Sequence, residues 1–93
     1  MYKQQVTILN KNGLHARPAA EIVQEASKYE SEIKIINIKE SITVSAKVVM
    51  ELLLLGAFCG TELLIEATGK DEEEAVKNIA NRIAGFSSMD EGD

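Results

Sequence analysis

The one histidine of this 93-residue chain, His15, stands in the segment Gly13-Leu14-His15-Ala16-Arg17-Pro18-Ala19-Ala20. Proline is tolerated in a helix only in the first turn, where its missing N–H costs no bond. Pro18 therefore fixes a helix start near Ala16 and makes His15 the residue that caps it. N–H groups of a first turn have no acceptor within the helix, and the helix dipole adds positive potential there, so such ends bind phosphate. Arg17 adds a permanent cation whose planar donors match phosphate oxygens. These are the parts a phosphoryl acceptor needs. The imidazole must be neutral to offer a lone pair, and positive potential disfavours the imidazolium form. A dianionic phosphoryl group on the ring is then held by Arg17 and the backbone N–H groups of Ala16 and Arg17, without a metal. Gly13 gives the loop freedom to bring the ring over the helix end. Ala16, Ala19 and Ala20 keep the surroundings small enough for another protein to reach it.

The bland reading is that a histidine at a helix start is a cap and an arginine two residues on a solvated charge. The competing chemistries lack their parts. No carboxylate, cysteine or second histidine shares the motif, so no metal is expected. No serine occupies a nucleophile elbow, which leaves Ser-His-Asp hydrolysis unsupported. No cofactor is expected either.

The elements that must position His15 follow from periodicity. Residues 2–9 alternate as a strand around Val6 and Ile8, and 10–13 form a turn. In 16–28, Ala19, Ile22, Val23 and Ala26 fall on one helical face, with Glu21, Gln24, Glu25 and Lys28 on the other. Residues 33–38 and 42–44 are β-branched strands. Residues 47–55 read as a helix with Val48, Leu52 and Leu55 on one stripe, closed by Gly56. A last strand spans 61–67, with Leu63, Ile65 and Ala67 sharing a face. Asp71 and Glu74 form a capping box for a final helix that buries Ala75, Val76, Ile79, Ala80 and Ile83 and stops at Gly85. The order βαββαβα predicts an α+β fold: a four-stranded antiparallel sheet with three helices on one face. Residues 1–86 form one domain, and 87–93 an acidic tail expected to be flexible.

Composition narrows the partners. Fifteen acidic against ten basic residues give a net charge of −5, which disfavours nucleic acid and anionic membranes. No apolar run approaches the roughly 20 residues of a membrane helix. The single cysteine, Cys59, cannot form an internal disulfide, which fits a reducing cytoplasm. It is assigned to packing or a loop.

The segment 13–19 resembles the active-site signature of the HPr family, the histidine-containing phosphocarriers of the bacterial phosphoenolpyruvate-dependent sugar phosphotransferase system. Gln24 to Tyr29, Ser31-Glu32-Ile33, Leu55-Gly56, Gly60-Thr61-Glu62 and Ala67 to Ala75 are similar to the family as well, so residues 2–84 are covered. The resemblance implies an open-faced β-sandwich. It implies that His15 takes a phosphoryl group on Nδ1 from the phosphorylated first enzyme of the system, enzyme I, and passes it to a sugar-specific EIIA component. Arg17 matches the family arginine that contacts the phosphoryl group. Such a protein is a cytoplasmic carrier rather than an enzyme with its own turnover, and a monomer is expected.

Two departures stand out. Many relatives carry a regulatory serine at the start of the second helix, phosphorylated by an ATP-dependent kinase; here Val48 occupies that position, and Ser45 is not expected to substitute. The second helix is also richer in leucine. The family docks partners on its exposed apolar side, which assigns Ala20, Val49, Met50, Leu53 and Leu54 to a partner surface. Leu52 and Leu55 are expected in the core, Leu53 and Leu54 in either place. Glu51 is expected to alter partner choice. The rival to a main-line carrier is a regulatory HPr-like paralogue, of a nitrogen-related or other branch, that binds targets according to its phosphorylation state.

Overall fold

The computed structural model describes residues 1–86, in which the elements run β1 (Tyr2–Thr7), α1 (Ala16–Ala26), β2 (Glu32–Asn37), β3 (Ile42–Ser45), α2 (Val49–Leu53), β4 (Glu62–Thr68) and α3 (Glu72–Ala84). The expected tail over 87–93 lies outside the described residues. The order of elements is the one that periodicity predicts. The strands pair antiparallel in the order β1-β4-β2-β3, so β4 inserts between the first two strands. Ile65 stands opposite Gln4 on one side and Ile35 on the other, and Ile35 opposite Val44.

Alternation along the strands separates two faces. Ile33, Ile35, Leu63, Ile65 and Ala67 point under the helices and are buried. Lys3, Lys34 and Glu66 face the other way, with a Lys3–Glu66 ion pair at 3.5 Å. α3 lies along β1, β4 and β2 and beside α1, while α2 rests on α1 and β3. α3 buries the five apolar residues that its periodicity selects, and Gly85 caps it. Among the described residues no helix is long and apolar enough to cross a membrane.

Three local readings differ from the structure. Glu25 is buried rather than on the solvated side of α1. Its carboxylate accepts from Tyr29 Oη at 2.6 Å, Lys28 Nζ at 3.2 Å and Arg82 Nη2 at 3.3 Å, while Arg82 Nη1 reaches Glu21 at 2.5 Å. Asn78 Nδ2 donates to the same tyrosine oxygen at 2.6 Å. A buried carboxylate is tolerable only when its lone pairs are satisfied in this way. The Tyr29 hydrogen bond holds the Glu25 carboxyl below the usual glutamate range, with Lys28 and Arg82 helping and burial opposing. Burial, then the Glu25 hydrogen bond, pushes the Tyr29 hydroxyl up.

The capping box at Asp71 does not form. Asp71 is the N-cap residue, but its carboxylate turns away to accept the N–H groups of Glu30 and Ser31, both at 3.0 Å, and the Ser31 hydroxyl. Three donors from the β2 approach outcompete the helix's own N–H. Finally, α2 is shorter than its apolar pattern. The β3 pairing continues to Ala46, whose N–H bonds Ile33 O at 3.0 Å, so the helix cannot begin at residue 47. Val48 becomes an extended N-cap and is exposed, apart from the buried Leu52 and Leu55.

Candidate functional site

The approach to His15 is built from backbone. After β1 the chain turns with Gly13 N–H on Asn10 O at 3.1 Å, and the buried Asn10 amide returns a bond to Gly13 O at 2.6 Å. Gly13 adopts φ +66°, and a Cβ there would stand 2.5 Å from Ala57 O and 2.9 Å from Phe58 Cα. Both the left-handed conformation and the close approach require glycine. Leu14 donates to Ala57 O at 2.8 Å and buries its side chain. His15 N–H returns to Gly13 O at 3.1 Å.

His15 is the N-cap of α1, with extended φ −89° and ψ −171°. Its carbonyl accepts Ala19 N–H at 3.0 Å, the first bond of the helical ladder. The N–H groups of Ala16 and Arg17 precede that ladder, and Pro18 contributes none. The imidazole makes no cap bond to the helix. The residue is half-buried and its Nε2 atom is covered from solvent. Ala16, Arg17 and Ala20 are exposed around it, and Pro18 and Ala19 are buried beneath. The arrangement brings the histidine, the two N–H groups that precede the ladder and the arginine to a single helix end.

The second helix, which packs on α1, carries exposed apolar residues. Met50 is 69% and Leu54 73% exposed, and Leu53 is exposed as well, while Leu52 and Leu55 are in the core. Val49 is half-buried and packs against the core. Glu51 accepts Ser45 N–H at 2.9 Å, which ties its carboxylate to the free edge of β3. The Ser45 hydroxyl accepts Lys47 N–H at 3.2 Å in the turn before α2. Cys59 is exposed in the turn that precedes β4. Sequence reasoning missed Phe58, which is 72% exposed and whose backbone abuts Gly13. No periodicity marks it, since it stands in an irregular turn.

The chain matches the family model described as PTS HPr component phosphorylation site over residues 2–84. It is 43% identical over 79 residues to the phosphocarrier protein HPr of Treponema pallidum, covering 85% of this chain and 88% of that one. It is 41% identical over 80 residues to the HPr-like protein Crh of Bacillus subtilis, covering 86% and 92%. The crystal structure of an HPr from Thermoanaerobacter tengcongensis superposes with a TM-score of 0.86 at 41% identity, covering 95% of this chain and 97% of that one.

Proposed function

The chain belongs to the HPr family of the phosphotransferase system, and from that premise we propose that His15 accepts a phosphoryl group from phosphorylated enzyme I and delivers it to an EIIA-type component. The observation that carries the reading is the ring of His15 set at the α1 N-cap with Nε2 covered. The covered Nε2 agrees with Nδ1 as the attacking nitrogen, which the family resemblance implies. The Nδ1 lone pair forms the new P–N bond as the donor's P–N bond breaks and returns its electron pair to the donor nitrogen. Ala16 N–H, Arg17 N–H and the Arg17 guanidinium hold the transferred oxygens. The donors are charge-assisted but few, which keeps the bond labile enough for the second transfer.

The same reading makes residues 1–86 a cytoplasmic, monomeric phosphocarrier domain. Ala20, Val49, Met50, Leu53 and Leu54 form its partner surface, of which Val49 contributes least because it is half-buried. Incubation with enzyme I and phosphoenolpyruvate should give one acid-labile, base-stable phosphate per chain. His15→Ala should give none; a mutant labelled like wild type sinks the mechanism. An ATP-dependent HPr kinase should leave the segment 45–48 unmodified, because Val48 has no hydroxyl and the Ser45 hydroxyl is engaged in a turn. Stoichiometric phosphoserine there would overturn this.

Similarity to the HPr-like protein Crh supports a second reading, a regulatory paralogue that binds targets according to its phosphorylation state. Side-by-side transfer to EIIA and pull-down with phosphorylated and unphosphorylated chain separate the two. Fast transfer without phosphorylation-dependent capture favours the carrier.

A further inference from the structure

Asn10 belongs to the turn between β1 and α1, yet only 1% of it is exposed, although asparagine is ordinarily left in water. Its amide nitrogen donates to Gly13 O at 2.6 Å, and Gly13 N–H returns to Asn10 O at 3.1 Å, so side chain and main chain close the same turn. The Gly13 carbonyl also accepts His15 N–H at 3.1 Å. A carbonyl oxygen has two lone pairs, and here one goes to the asparagine and the other to the histidine. The bond from His15 back to Gly13 closes a three-residue γ-turn. The Asn10 donor fixes the direction of its acceptor from outside that turn. The amide oxygen, Asn10 Oδ1, is enclosed and meets no donor among the described residues. An enclosed acceptor without a donor weakens a fold. Stability alone is therefore a poor account of this side chain, and the half of it that is engaged acts on the backbone that carries His15.

We propose that Asn10 is a positioning residue for phosphoryl transfer: by holding the Gly13 carbonyl it sets the backbone of His15, and with it the place from which the imidazole attacks. This rests on the carrier reading and deepens it. Asn10 touches no reacting atom and acts through Gly13 O. The task suits this side chain. Its donor is neutral and short enough to close on a residue three positions along. An aspartate of the same length would set a carboxylate oxygen against the Gly13 carbonyl, two acceptors with no proton between them. An alanine would remove the enclosed oxygen but leave the carbonyl to His15 alone. Without its second donor the carbonyl can rotate, and residue 15 moves with it. A misplacement of about 1 Å at a reacting group slows a reaction roughly a hundredfold, so a smaller shift of this loop should cost about tenfold.

The full chain is compared as wild type, Asn10→Ala, Asn10→Ser and Asn10→Asp. Rapid-quench transfer from phosphorylated enzyme I gives the saturating rate and the KM. Each phosphorylated chain is then isolated and followed for spontaneous loss of phosphate, a rate in which no partner takes part. In Asn10→Ala the saturating rate should fall about tenfold with KM within about twofold, and the phosphohistidine half-life should change by about threefold or more. Its thermal midpoint should stay within a few degrees of wild type. Asn10→Ser keeps a hydroxyl donor and should recover part of the rate, and Asn10→Asp should be the slowest. A folded Asn10→Ala chain with the saturating rate and phosphohistidine half-life of wild type overturns the proposal and leaves the carrier reading intact. A raised KM at an unchanged saturating rate also overturns it, by moving the effect to docking. A lowered thermal midpoint with both rates unchanged makes Asn10 a structural tie only. If Asn10→Ala does not fold, Asn10→Ser carries the same two readouts. Absence of labelling in wild type removes the carrier reading and this inference together.

Discussion

The two ends of α1 are held by different means. At its start, main-chain bonds carry the loop and the helix entry: Leu14 to Ala57 O, His15 to Gly13 O, and Ala19 to His15 O. At its other end the helix is fixed through side chains, where Glu21, Glu25 and Tyr29 meet Arg82 and Asn78 of α3. The difference separates chemistry from stability. A side chain that must change partners during a reaction cannot also be a structural tie, so the fold holds the reactive residue by groups no reaction consumes. Where nothing reacts, side chains are committed in full.

The largest effect should come from attacking the main-chain hold. Gly13→Ala forces a left-handed alanine, at about 1–2 kcal/mol, and drives its methyl into Ala57 O. We expect a loss of roughly 2–4 kcal/mol in urea unfolding, together with slowed phosphoryl transfer. Unchanged stability would mean that the loop moves aside at no cost and that the backbone hold is soft. Arg17→Ala is next and should leave stability alone. Loss of a hydrogen bond to a charged group is worth about 1.5–3 kcal/mol, so transfer should slow by roughly tenfold to a hundredfold in rapid-quench kinetics. A fold-stability effect of similar size would blur the division between the two ends.

Glu25→Gln probes the other end. Removing the charge beside Arg82, Lys28 and Tyr29 should destabilise the chain by about 1–2 kcal/mol at neutral pH without altering the rate of transfer. The pH dependence has a definite sign. Folded Glu25 gives up its proton more readily than in the unfolded chain, so its contribution is present above the ordinary glutamate value of about 4.3. That contribution is lost as pH falls through the lower folded value. Stability curves between pH 2 and 7 should therefore be flatter for Glu25→Gln. They should not become level, because Asp71 is held low as well, first by the Ser31 hydroxyl and then by the N–H groups of Glu30 and Ser31. A wild-type curve as flat as the mutant's would remove Glu25 from the account. The smallest effect is a gain. Val48 caps α2 with extended backbone and no side-chain bond, and Val48→Ser supplies one, worth about 0.5–1 kcal/mol, seen as a thermal midpoint raised by a few degrees.

What the sequence could disclose divides along the same line. The main-chain end was readable because its determinants are local: Pro18 fixes the helix start, Gly13 the turn, and His15 falls between them. Strand alternation and the helical face of α3 were readable for the same reason. The other end was not. A helical wheel puts Glu25 with Glu21 and Lys28 in solvent, and nothing nearby announces Arg82, 57 residues away. Asp71 fits a capping box by its neighbours, and only Glu30 and Ser31, about 40 residues off, draw it elsewhere. Val48 matches the apolar stripe of α2, but the β2–β3 pairing decides where that helix can begin. Phe58 has no pattern to betray its exposure, because it stands in an irregular turn.

The main-chain suspension of residue 15 makes that position interchangeable in a way few reactive positions are. The main-chain bonds at residue 15 do not depend on which side chain it carries, and the imidazole does not cap the helix, so another nucleophile installed there would inherit the same backbone position, the same two amide donors and the same neighbouring arginine. His15→Cys and His15→Asp chains should thus compete with wild type for the donor protein at similar concentrations while failing to pass phosphate onward. The loop works as a socket, and the protein around it as a mount into which different reactive tips can be fitted.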